Sequence, residues 1–81
     1  MRKRALKRRY GRSASADVLF HEAEVAFRAG RDALSRGDLS LVRTSAQKIG
    51  ALGLRANKEG LSADKFGKLL RAQALLLERT S

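Results

Sequence analysis

Residues 33–42 read Ala33-Leu34-Ser35-Arg36-Gly37-Asp38-Leu39-Ser40-Leu41-Val42, a helix ending and a helix beginning placed back to back. Gly37 is the residue type that enters the left-handed conformation at a helix C-terminus without a Cβ penalty. Asp38 follows at once, and its carboxylate suits the exposed N–H groups of a new helix. A connection as short as Gly37-Asp38 leaves the chain no room to do anything but reverse, so the two flanking helices form an antiparallel hairpin.

Working upstream, residues 18–36 wound at the helical period place Leu19, Phe20, Ala23, Ala26, Phe27, Gly30, Ala33 and Leu34 on one side. His21, Glu24, Arg28, Arg31 and Asp32 fall on the other, with Glu24–Arg28 and Arg28–Asp32 spaced as i,i+4 pairs. Ser15 or Asp17 is the expected N-cap, giving a first helix of about 17–36. Downstream, a second helix of about 38–56 carries a stripe of Leu39, Val42, Ala46, Ile49 and Gly53. Gly50 and Gly53 each cost about 1 kcal/mol relative to Ala inside a helix. Close approach to the small residues Ala23, Ala26 and Gly30 of the first helix is the reading that justifies them.

A third helix of about 62–79 follows Gly60-Leu61, with Ser62 as N-cap and Asp64 in the first turn, where the helix dipole favours an anion. Its core face is Phe66, Leu69, Leu70, Gln73, Leu76 and Leu77, while Lys65, Lys68, Arg71, Leu75 and Arg79 project elsewhere. Proline is absent and helix formers dominate. The expected fold is all-α: a small three-helix domain over 17–80, made of an antiparallel hairpin plus a third helix, behind a disordered basic arm over 1–16. Such a core is near the lower limit for a self-sufficient domain, so a second copy, a partner or nucleic acid is expected to add stability.

The arm is the functional signal. Arg2, Lys3, Arg4, Lys7, Arg8, Arg9 and Arg12 bring seven of the chain's eighteen Lys and Arg into its first twelve residues, and the first acidic residue is Asp17. Of the formal net charge of +10, these residues hold seven units. A cluster like this repels itself and becomes favourable where a polyanion exchanges its counterions for it. The expected partner is therefore DNA or RNA, bound through phosphates with little sequence preference. Tyr10 is placed to stack on an unpaired base. Lys65, Lys68 and Arg71 would extend the contact if the polar face of the third helix lies along the backbone.

Other classes are less well served. The longest apolar run, Ala74–Leu77, is far too short to span a membrane, and no apolar stretch follows the basic start as in a secretory signal. Residues 1–16 match an import presequence in charge, but Leu6 and Tyr10 alone do not make an amphipathic face. Arg2–Arg9 also fits the loose pattern of a nuclear-import tag. With no Cys and one His, neither a disulfide nor a structural zinc site is expected, and no cofactor is implied. No serine has a plausible base and the carboxylates are scattered singly, so neither an enzyme nor a small-molecule substrate is expected.

Two short stretches resemble known motifs. Ala56-Asn57-Lys58-Glu59-Gly60-Leu61-Ser62, followed by Phe66 and Leu69, resembles the helix-turn-helix of DNA-binding regulators, which would turn Ala63, Asp64, Lys65 and Lys68 toward the major groove. Arg55 and Glu59 depart from that motif's apolar positions. Gly30-x-x-Ala33-Leu34-x-x-Gly37-Asp38-Leu39 resembles the turn of one tetratricopeptide hairpin; it implies a helical hairpin, and a single copy implies no solenoid. The sequence thus reads as a small basic nucleic-acid-binding protein of genome organisation or packaging, or of ribonucleoprotein assembly. Its expected setting is intracellular, cytoplasmic or nucleoid-associated, with a nucleus or a virion as further settings. The partners extend to a homo-oligomer or a larger nucleoprotein or virion assembly. The alternatives are a helical protein–protein module docking on an acidic partner, or a helix-turn-helix regulator.

Overall fold

The computed structural model describes the backbone of residues 2–80 and the side chains of residues 15–80. It is a three-helix, all-α fold with no strand among the described residues: α1 is Arg2–Ser35, α2 is Leu39–Lys58 and α3 is Ala63–Glu78. The corner between α1 and α2 is built as the residue types dictate. Gly37 has φ of 76° and its N–H donates to the Leu34 carbonyl at 3.1 Å, while Asp38 N–H donates to the Ala33 carbonyl at 2.9 Å. These two bonds satisfy carbonyls that the end of α1 would otherwise leave open. Asp38 then caps α2 by accepting from the Leu41 N–H at 3.2 Å. The second corner repeats the device. Gly60 has φ of 98°, Leu61 N–H reaches the Ala56 carbonyl at 3.0 Å, and Ser62 Oγ accepts from the Lys65 N–H at 3.3 Å.

The beginning of α1 differs from expectation. Its backbone is helical from Arg2, so neither Ser15 nor Asp17 caps it. Residues 2–16 contain no proline and are mostly Ala, Leu, Lys and Arg, and the helix runs through their one glycine, Gly11. The side chains of 1–14, on which the expected disorder of the arm bears, lie outside the described residues. Among the described residues Ala16, the last position assigned to the arm, is already buried in the core.

The hairpin encloses Leu19, Ala23, Ala26, Gly30 and Ala33 of α1, with Phe20, Phe27 and Leu34 half-buried at one edge, as the period predicts. From α2 come Val42, Ser45, Ala46, Ile49, Leu52, Gly53 and Ala56. Leu39, expected inside, is exposed. On α3 only Leu69 and Leu76 are buried; Leu70 and Leu77, also expected inside, are exposed. The apolar arc of α3 is wider than the cleft it fills, because α3 packs chiefly against α2 and touches α1 along a narrower line. The interior is alanine-rich, and its largest fully buried side chains are Ile49, Leu76 and Val42. Small side chains at the contact permit close helix–helix spacing and bury little apolar area per residue.

The glycines do allow close approach, but to a different helix from the one expected. A Cβ on Gly50 would lie 2.5 Å from Gln73 Nε2, and one on Gly53 would lie 3.5 Å from Leu69 Cδ1, so both face α3 rather than α1. The closest approach to buried side chains is at Gly30, where a Cβ would stand 2.6 Å from Leu76 Cδ1 and 3.0 Å from Ser45 Cβ. Gly30 is thus the point at which all three helices meet.

Candidate nucleic-acid interface

Arg2, Lys3, Arg4, Lys7, Arg8, Arg9, Tyr10 and Arg12 all stand on the N-terminal part of α1, and their side chains lie outside the described residues. The geometry of the interface is therefore that of the bundle. Three cations were expected from α3, and the fold separates them. Lys65 is engaged within the protein: Nζ donates to Asp17 Oδ1 at 3.2 Å and sits 5.4 Å from the centre of the Phe20 ring. This pair fastens the start of α3 to α1 across 48 residues of sequence. Lys68 is exposed and borders a recess between α3 and α1, together with Arg28, Arg31, Glu24 and Phe27. Arg71 is exposed but outside that recess, with Nε donating to the Gly67 carbonyl at 3.4 Å.

Arg28 and Arg31 were not singled out by the sequence, which assigned them to the solvated side of α1 and paired Arg28 with carboxylates. The structure redistributes those partners. Asp32 takes Arg36, at 3.2 Å, and Glu24 lies 3.9 Å from His21. Arg31 instead rests over Phe27, its guanidinium carbon 5.8 Å from the ring centre. Further along the same seam, Arg31 and Arg79 border a second recess beside Leu34 and Leu75. The usable signal was Phe27 flanked by Arg28 and followed at i+4 by Arg31, a half-buried aromatic edge with cations beside it.

The turn that resembles a helix-turn-helix carries Arg55 and Glu59 on the surface, and Asp64, not a cation, is exposed in the first turn of α3. Its one forward lysine, Lys65, is held by Asp17.

No known protein family, curated protein or solved structure matches the chain.

The seam between α1 and α3 is thus characterised by its own side chains: Arg28, Arg31, Lys68 and Arg79 against Glu24, on an aromatic edge. Guanidinium and ammonium groups can, as a class, bind anions by charge-assisted hydrogen bonds. Among the described residues no three His, Cys, Asp or Glu side chains come together to hold a metal ion, and no helix is long and apolar enough to cross a membrane.

Proposed function

We propose that the chain is a small basic nucleic-acid-binding protein whose N-terminal Arg and Lys residues neutralise phosphates with little sequence preference. The observation that carries this reading is the run from Arg2 to Arg12, seven cations with no acidic residue before Asp17. Among the described residues the core runs from Ala16 to Leu76, and Ala16 is its one member from the stretch assigned to the arm. Genome organisation or packaging, or ribonucleoprotein assembly, inside a cell or a virion, is the setting in which such an arm meets its counter-charge. Lys68 and Arg71 are exposed and add to the contact; Lys65 contributes only as far as Asp17 releases it.

The test is the salt dependence of binding to a labelled duplex. Seven neutralised phosphates give a log K against log salt slope near −6, at about 0.9 per contact, or roughly three to four decades lost over a fourfold rise in salt. Arg8→Ala with Arg9→Ala should flatten that slope by about 2 and weaken all sequences alike. Affinity indifferent to salt would remove the reading. A second reading is a helical protein–protein module whose arm docks on an acidic partner; one observation favours a protein contact, the groove between α2 and α3 bordered by Gly50, Ala51, Leu54, Phe66, Leu70 and Gln73 and by no charged side chain. It predicts a preparation free of co-purifying nucleic acid, with a 260/280 nm absorbance ratio that nuclease leaves unchanged.

A further inference from the structure

The seam between α1 and α3 is the place where charges distant in sequence are brought together without matching acids. Arg28 and Arg31 come from α1 and Lys68 from α3, forty and thirty-seven residues apart, yet they border one recess that contains a single carboxylate, Glu24. Asp32, four residues from Arg28 on its own helix, is turned to Arg36, and Glu24, four residues the other way, stands 3.9 Å from His21. Asp17 is turned to Lys65. Arg31 is exposed and its guanidinium carbon stands 5.8 Å from the centre of the Phe27 ring, a contact that limits the freedom it must give up on binding. Arg79 prolongs the line of cations toward the C-terminal end of α3.

We infer that this seam is a second phosphodiester-binding site, built by the tertiary fold, in which Arg28, Arg31 and Lys68 contact the backbone of a nucleic acid strand. The inference rests on the nucleic-acid reading given above and adds to it a site outside the arm. The recess lies between two packed helices, so successive phosphates of one strand can follow the seam from Lys68 and Arg28 past Arg31 to Arg79. The ligand chemistry is a phosphodiester strand, and it is supplied either by single-stranded nucleic acid or by one strand of a duplex. Half-buried Phe27 is already covered by Arg31, so the seam reads phosphate charge and not base identity.

The experiment uses the full chain and two labelled 20-mers of the same sequence, single-stranded and duplex, titrated across a range of salt. Arg28→Ala, Arg31→Ala and Lys68→Ala are combined. A control of equal charge removes three exposed cations of α2, with Arg43→Ala, Lys48→Ala and Arg55→Ala. The seam variant should flatten the slope by about 3 on the duplex if that is the source, or by about 2 on the single strand, and the control should change it by well under 1. A seam variant indistinguishable from the control, while Arg8→Ala with Arg9→Ala still flattens the slope, overturns the seam and leaves the arm standing. A parent protein whose affinity ignores salt overturns both.

A second measurement needs no substitution. In the unaltered protein, either oligonucleotide should protect Lys68 from acetylation several-fold more than it protects Lys48. Equal protection of the two lysines, or protection of Lys68 by polyglutamate but not by the oligonucleotides, refutes the site.

Discussion

Replacing a helical glycine with alanine usually stabilises a helix, by about 1 kcal/mol. Gly30 and Gly67 are both inside helices, so propensity alone predicts the same gain at each. Packing predicts opposite signs. A Cβ at Gly67 would meet only the tip of Arg71, at 3.8 Å, and Gly67→Ala should raise stability by about 0.5–1 kcal/mol. At Gly30 the Cβ would stand 2.6 Å from Leu76 Cδ1 and 3.0 Å from Ser45 Cβ. Leu76 is 2% exposed and Ser45 4%, and the Ser45 Cβ is fixed to the backbone of α2, so neither can turn away. Overpacking of this kind costs about 1–3 kcal/mol, which exceeds the helical gain and makes Gly30→Ala about 1 kcal/mol less stable than the parent. The two variants should differ by roughly 2 kcal/mol, or about 8–16 °C in midpoint for a domain of this size. Urea unfolding followed by circular dichroism gives both values on one scale. Adding Leu76→Val to Gly30→Ala should recover part of the loss, because the shorter side chain vacates the space, and the double-mutant cycle reads that coupling. If Gly30→Ala is as stable as Gly67→Ala, α3 does not meet the hairpin at Gly30 and the helix arrangement is wrong.

Asp38→Ala removes the acceptor for the Leu41 N–H and should cost about 1 kcal/mol in the same urea assay, with Asp38→Asn nearly neutral. Leu76→Ala should cost about 2–5 kcal/mol, enough to unfold much of the population of a small domain. Leu54→Ser, at a side chain 61% exposed, should stay within about 0.5 kcal/mol of the parent. A chain lacking residues 1–12 should keep its cooperative thermal transition, since the three apolar stripes described, from Ala16 to Leu76, lie beyond them; loss of that transition would show that the arm takes part in the core.

What could be read along the chain was whatever depends on neighbours within one or two helical turns. The stops at Gly37 and Gly60, the caps Asp38 and Ser62, and the buried stripe from Leu19 to Leu34 follow from local backbone preference and the 3.6-residue period. The start of α1 escaped because residues 2–16 carry no proline, the helix runs through Gly11, and Asp17 pairs with Lys65 instead of capping. The acid-free run from Arg2 to Arg12 is likewise visible as plain sequence, and it is the source of the functional reading.

The rest required helices to be set against one another. Period alone assigns a residue to a face of its own helix; which neighbour that face meets depends on the rotation and tilt at which three helices pack. Hence Gly50 and Gly53 open onto α3, Gly30 receives Leu76, and Leu39, Leu70 and Leu77 stay exposed although each lies on an apolar stripe. The same rotation draws Lys65 onto Asp17 and sets Lys68 beside Arg28 and Arg31. Three helices, the turns at Gly37 and Gly60, the caps Asp38 and Ser62 and a cationic arm are legible in the chain alone, because backbone conformation and charge density are local. The tertiary structure decided which cations share a surface and which are neutralised, because Coulomb and packing energies depend on distance in space, and residues some forty positions apart become neighbours only once the hairpin has closed on α3.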